Sequence, residues 1–311
     1  MPALTVANLS LAIGKSLIVD GISFTVDPSE VLALVGESGC GKSLTAQAIM
    51  RLLPRAITQT TGRIALGDDD ITHLPERQMR DLRGRRLSMI FQEPQAALDP
   101  LAPIVSQIAE ALRQRLSQAR PAVRKMLEDV GIADPDRRMD QYPFELSGGM
   151  CQRVMIASAL ISNPEILIAD EPTTALDVTI QAQILELLRR LAQDRKTAIL
   201  LITHDMGVVA DIADRVCVMY AGRIAETGNS ENLFAAPAHP YTKLLLAAIP
   251  RLTDEPKSKL AVIEGRVPSP AEFGPGCRFA PRCPSADERC RRETPTLRTI
   301  GQASQVACHH A

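Results

Sequence analysis

Apolar and polar positions change period several times along the chain. Residues 4–26, LTVANLSLAI through ISFTV, alternate or run apolar with many β-branched side chains; the pattern predicts strands, with Asp20-Gly21 as a turn between them. VLALV at 31–35 predicts a buried strand. A glycine-rich loop follows, then SLTAQAIMRLLP, where apolar residues recur at helical spacing until Pro54. Residues 94–160 are rich in Ala, Gln, Leu, Arg and Met and predict helices. ILIAD at 166–170 and TAILLIT at 197–203 are apolar throughout, as central strands of a parallel sheet are. Between them TIQAQILELLRRLAQD is an amphipathic helix. Strand, helix and strand in this order predict an α/β sheet with a helical insertion. Beyond Gly228 the periodicity weakens, and Pro, Arg and Cys rise from about residue 250.

Length and charge narrow the classes. A chain of 311 residues accommodates one large domain or two ordinary ones. The 35 Lys and Arg nearly balance the 36 Asp and Glu, which leaves no electrostatic case for a nucleic-acid partner. The arginine-rich runs at 83–86 and 289–292 are short and read as solvated surface. MPALTVANLS has no basic n-region, apolar stretch and small-residue cleavage site, and the apolar runs fall well below the roughly 18–20 residues of a membrane span. A soluble, cytosolic protein is expected. In that reducing compartment the seven cysteines point to metal, redox chemistry or no special role before disulfides.

Chemistry concentrates at three places. Gly36, Glu37, Ser38, Gly39, Cys40, Gly41, Lys42 and Ser43 spell GESGCGKS, which matches G-x-x-x-x-G-K-[ST] between a predicted strand and a helix continuing through Leu44. Such a loop wraps a phosphate with backbone N–H groups and a helix N-terminus; Lys42 reaches the β- and γ-phosphates and Ser43 holds Mg²⁺. The alternative is a structural glycine turn. At the end of ILIAD, Asp170 is placed for a metal shell and Glu171 to activate water, unless the pair only caps the next helix. His204 ends LLITH, where a neutral imidazole can contact a γ-phosphate or serve a structural role.

LSGGMCQRVMIASALISNPEILIADEPTTALD, at 146–177, resembles the signature, Walker B and D-loop run of ATP-binding cassette ATPases. The family order of phosphate loop, Q-loop glutamine, signature, Walker B, D-loop and switch histidine is complete here. The resemblance implies a P-loop NTPase core with a mixed sheet, an N-terminal antiparallel β part and a helical subdomain, plus a small C-terminal extension containing cysteines. It implies Gln92 in MIFQEP as the Q-loop residue and a further Mg²⁺ ligand beside Ser43 and Asp170. Ser147, Gly148 and Gly149 would contact the γ-phosphate held by an opposite subunit, and Asp177 would lie across that dimer. The expected cofactors are ATP and Mg²⁺. Two departures stand out: the expected adenine-stacking aromatic is replaced near Ile13 by aliphatic residues, and Met150-Cys151 follows the signature glycines.

AHPYTKLLLAAIP at 238–250 and FQEPQAALDPL at 91–101 resemble the branch that imports oligopeptides, dipeptides and nickel; as bare sequence the former is a short amphipathic helix with a Pro stop. The division expected is 1–230 for the nucleotide-binding domain, with a helical subdomain about 94–160, and 231–311 for the extension. Cys277, Cys283, Cys290 and Cys308 follow C-x5-C-x6-C-x17-C, which suits zinc or an iron–sulfur cluster on ligand count. The region is similar to the one where peptide-importer ATPases carry a [4Fe-4S] cluster, and that cluster is the expectation. His309 and His310 read as a terminal tail or as substitute ligands. The resemblance implies an ATPase at the cytoplasmic side of the bacterial inner membrane. Its partners would be two transmembrane permease subunits, a sister ATPase or a second copy, and indirectly a periplasmic or extracellular substrate-binding protein. Alternatives are the same role for nickel or a metal chelate, a soluble cassette ATPase of DNA repair or translation, and a cluster-based redox-regulated ATPase.

Overall fold

The structure is a computed structural model and describes residues 1–173, 177–249, 262–301 and 304–311. Two compact units share the chain. One comprises Met1, Asp27–Glu30 and His73–Leu201, and the other Pro2–Val26, Val31–Thr72 and Ile202–Ala311. The first part of the chain forms β1 (Leu4–Ile13), β2 (Ser16–Val26), β3 (Val31–Val35), α1 (Lys42–Met50), β4 (Ile57–Leu66) and β5 (Asp69–Asp70). The middle forms α2 (Glu76–Leu82), β6 (Leu87–Ile90), α3 (Pro94–Ala97), α4 (Ile104–Glu110), α5 (Leu116–Asp129), α6 (Pro135–Arg138), α7 (Gly148–Leu160), β7 (Ile166–Asp170), α8 (Val178–Arg195) and β8 (Ala198–Thr203). The last part forms α9 (Met206–Ile212), β9 (Arg215–Tyr220), β10 (Arg223–Asn229), α10 (Ser230–Ala235), α11 (Pro240–Ala247), α12 (Glu288–Arg292), β11 (Arg298–Ile300) and β12 (Ser304–Val306).

The unit that holds β3 contains an antiparallel sheet of order β2-β1-β4-β5 and a strand series β11-β12-β10-β9-β3, in which β3 and β9 run parallel. Asp20-Gly21 is not the turn that the sequence suggests. β2 runs through it, and the chain reverses instead at Gly14-Lys15. Leu9 pairs with Ile22 and Leu11 with Val19, so Ser10 faces two residues, a bulge that Gly21 accommodates at φ +63°. Arg223 and Arg278 both hold the Asp20 carboxylate, at 2.7 and 2.6 Å, which gives Asp20 a partner outside the hairpin. Helix α1 ends before Pro54: Arg51 adopts a left-handed conformation at φ +52°, and its N–H donates to Ala48 O.

The other unit brings β6 and β7 together in parallel, Leu87 opposite Ile166 and Ile90 opposite Ala169, with β8 beside β7. The 94–160 region is helical as expected. Helix α5 buries Ala119, Val123, Met126 and Leu127, spacings of one helical face. Helix α8 likewise buries Ile184, Leu188 and Leu191.

The described residues after Gly228 fold back on their own unit. Tyr241 and Phe279 are 0% and 2% exposed and join Ala33, Val35, Val216, Val218 and Tyr220 in one core. In a chain with three Tyr and six Phe, the rings of Tyr220, Tyr241 and Phe279 lie 4.7 to 5.3 Å apart in edge-on or tilted contact. The HPY stretch is thus a core anchor. Its helix is α11; the Pro250 stop lies outside the described residues.

His239, 3% exposed, begins that anchor. Its Nδ1 accepts the Tyr241 N–H at 3.0 Å, so the neutral ring carries its proton on Nε2. Burial pulls its pKa down from 6.5 to about 4, against a hydrogen bond to the Ala307 backbone and with the Lys243 charge pushing the same way as burial. The unfolded chain therefore takes up a proton that the folded chain refuses. This contribution is complete above pH 6.5 and is lost as pH falls toward 4, amounting to roughly 3 kcal/mol over the interval. The thermal midpoint is expected to drop between pH 7 and pH 5, and His239→Asn, which keeps an acceptor for Tyr241, to flatten that drop in a melting series.

Candidate functional site

The loop after β3 is built for backbone exposure. Gly36 sits at φ +150°, and a Cβ there would lie 2.1 Å from the Met219 carbonyl oxygen, so only glycine lets the strand turn this closely. Ser38 and Gly39 form an exposed crest; Cys40 and Gly41 are buried again. Gly41 caps α1, a nine-residue helix, at φ +105° with no side-chain bond, so the helix N-terminus opens directly on the glycine loop. Lys42, 6% exposed, donates from Nζ to Gly36 O at 2.7 Å and Glu37 O at 3.1 Å. A buried ammonium held inside a glycine loop at a helix N-terminus fits a polyphosphate. Ser43 and Leu44 follow, half-buried, in the first turn. Cys40 is 1% exposed and burial pushes its thiol pKa up, which suits a small filler and not a reactive thiol.

In the other unit, parallel pairing of β6 and β7 brings their ends side by side. Asp170 ends β7 at 4% exposure. Glu171 follows at φ +49°, a left-handed conformation that a glutamate adopts only under constraint. Gln92, just beyond β6, donates from Nε2 to Glu171 Oε2 at 3.0 Å. The structure thus joins two residues 79 apart in sequence and leaves a carboxylate at a strand end that can accept a proton. Gln152 of α7 donates to the Pro172 carbonyl and ties that helix to the same corner.

Ser147 caps α7, its Oγ accepting the Met150 N–H at 3.4 Å; Ser147 and Gly148 are exposed and Gly149 half-buried. Cys151 is fully buried with its Sγ 3.4 Å from Pro143 O, so this departure from the usual signature fills a small internal site. Asp177 caps α8 by accepting the Ile180 N–H at 3.0 Å and is otherwise exposed. His204 lies exposed between β8 and α9 in the unit that holds the glycine loop. Gln92, Asp170, Glu171, Ser147, Gly148 and Gly149 belong to the other unit.

The iron–sulfur expectation is corrected. Among the described residues, the group of potential metal donors within 4.8 Å of one another is Asp287, Cys290 and His310. Asp287 caps α12 by accepting the Cys290 N–H at 2.8 Å, and Cys290 Sγ lies 3.4 Å from His310 Nε2. Cys277, Cys283 and Cys308 stand outside this group, whereas a [4Fe-4S] cluster takes four thiolates. The four cysteines do share the lining of one cavity, but its volume is about 10 Å³, the space of roughly one water. Spacing alone could not show that volume.

Sequence reading missed three residues that converge on the glycine loop. Tyr241 accepts the Glu37 N–H, Arg282 pairs with the Glu37 carboxylate, and Tyr220 packs between them. Tyr241 and Arg282 lie 204 and 245 residues from Glu37, beyond any periodicity, and the local hint was the HPY triplet.

Comparison with known proteins agrees with the layout. Residues 19–174 match the family described as ABC transporter, and residues 225–290 match the oligopeptide/dipeptide transporter C-terminal region. The dipeptide transport ATP-binding protein DppD of Bacillus subtilis is 48% identical, over 98% of this chain and 93% of the relative. The protein of the same name from Escherichia coli is 44% identical, over 100% and 97%. Both descriptions name ATP binding. The dimeric bacterial cassette MJ0796 shares the fold at TM-score 0.66 and 24% identity, over 73% of this chain and 98% of that one. On these matches the chain belongs to the ABC transporter family, in the branch that carries the oligopeptide/dipeptide transporter C-terminal region.

Proposed function

We propose that the chain is the ATP-hydrolysing subunit of an importer of dipeptides and oligopeptides. One observation carries the reading: a phosphate loop and a peptide-transporter C-terminal region occupy one compact unit and share one core. Residues 1–230 act as the nucleotide-binding domain, with its helical subdomain about 94–160, and 231–311 as the extension. The 36–44 loop binds the phosphates of ATP. Ser43, Gln92 and Asp170 would hold Mg²⁺, which when bound neutralises charge on the phosphate oxygens. Glu171 takes the proton of the attacking water, and Gln92 and His204 orient the reactants. Ser147, Gly148, Gly149 and Asp177 serve the nucleotide of an opposing ATPase chain, so activity needs a dimer.

The partners follow from this role: two transmembrane permease subunits, a sister ATPase chain or a second copy, and a substrate-binding protein on the far side of the membrane. Among the described residues no helix is long and apolar enough to cross a membrane, in keeping with peripheral attachment at the cytoplasmic face. Exposed Leu101 (85%) and Phe144 (73%), in the unit that holds Gln92, offer apolar contacts for such a partner.

Deleting the gene is expected to abolish uptake of a radiolabelled dipeptide in cells without other peptide importers, and the wild-type gene to restore it. Intact peptide uptake with lost nickel uptake would move the assignment to metal import.

A further inference from the structure

The C-terminal extension reaches the glycine loop through two residues, Arg282 and Tyr241. Arg282 donates from Nη1 to Glu37 Oε2 at 2.7 Å and from Nη2 to Oε1 at 3.0 Å, a two-pronged pair, with its own side chain 5% exposed. The other guanidinium N–H groups are also engaged: Nε donates to Glu264 O at 2.8 Å, and Nη2 also to Ile263 O at 3.1 Å. The bond to Glu37 pushes the Arg282 pKa further up, so the charge is permanent. Tyr241 Oη accepts the Glu37 N–H at 2.9 Å, and its ring is locked by Tyr220 and Phe279. The Glu37 carbonyl in turn accepts from Lys42 Nζ at 3.1 Å and from the Cys40 N–H at 3.3 Å.

We infer that Arg282 and Tyr241 are positioning residues for nucleotide binding, acting through Glu37. The inference rests on reading residues 36–43 as the phosphate loop. Two physical effects are involved. Glu37 brings a negative charge into a loop that must receive a polyanion, and Arg282 cancels it at contact distance. Tyr241 fixes the first peptide after Gly36, and thereby the carbonyl against which Lys42 is held. A mere staple fastening the extension to the unit would affect stability alone.

The test is a charge-deletion cycle read by binding of a fluorescent trinitrophenyl-ATP to the full chain, with melting temperature recorded alongside. Arg282→Gln, which leaves the Glu37 carboxylate uncompensated, is expected to raise Kd about tenfold, and Arg282→Lys to recover part of the loss. Adding Glu37→Gln to Arg282→Gln is expected to return Kd to within about twofold of Glu37→Gln alone, since the unpaired charge is gone. An unchanged Kd with a lowered melting temperature, while Lys42→Ala weakens binding on the order of a hundredfold, would overturn the inference and leave a staple. Unchanged binding in Lys42→Ala would instead overturn the phosphate-loop reading on which it rests. Should Arg282→Gln fail to fold, Tyr241→Phe keeps the ring packed and removes only the hydroxyl. A Kd raised severalfold there supports the inference, and an unchanged Kd overturns it.

Discussion

Glu171→Gln is expected to lower ATP turnover by about 10²–10⁴-fold while leaving nucleotide affinity near that of the wild type. The substitution keeps the size and planarity of the side chain and removes only its ability to accept a proton. Gln92 already donates to Glu171 Oε2, and an amide oxygen at that position can still accept that bond, so the corner between β6 and β7 keeps its shape. The constrained φ of +49° at Glu171 is a backbone property that glutamine shares. The loss is therefore one of chemistry and not of folding. Phosphate release measured beside trinitrophenyl-ATP binding separates the two, and unchanged release would remove Glu171 from the role of base.

Lys42→Ala is expected to weaken nucleotide binding on the order of a hundredfold, with turnover lost as a consequence. The ammonium is nine-tenths buried and donates to two carbonyls of its own loop, so it is held where it stands before any ligand arrives. Its removal takes away the positive charge of the loop and leaves the Gly36 and Glu37 carbonyls short of a donor, a local cost of about 1–3 kcal/mol. Direct binding is the decisive readout, because a catalytic loss alone would not separate Lys42 from Glu171. Wild-type affinity in this variant would contradict the phosphate-loop assignment.

What local sequence can specify depends on the range of each signal. The β3 run, the β7 run and helix α8 were legible because a buried strand or an amphipathic helix writes its environment into consecutive residues. The glycine loop was legible because its glycines answer a local demand, visible at Gly36, where a methyl group would strike the Met219 carbonyl. Asp20-Gly21 misled because the same dipeptide serves a hairpin turn or a bulge. The choice was made by Ser10 across the sheet and by Arg223 and Arg278 far along the chain. The tail cysteines misled in another way. Spacing states how far apart ligands are along the backbone, and it is silent about the 10 Å³ left between them or about His310 standing beside Cys290. The Arg282 to Glu37 pair spans 245 residues and left no trace in any local pattern.

The most direct test of the account couples the two halves of the proposed activity. The full importer, reconstituted in vesicles with its membrane subunits and binding protein, is supplied with ATP on the side of this chain, and phosphate release and accumulation of a radiolabelled dipeptide are measured together. The account predicts that both proceed with the wild-type chain and that both stop with Glu171→Gln. Dipeptide accumulation that continues undiminished while Glu171→Gln has stopped phosphate release would contradict it.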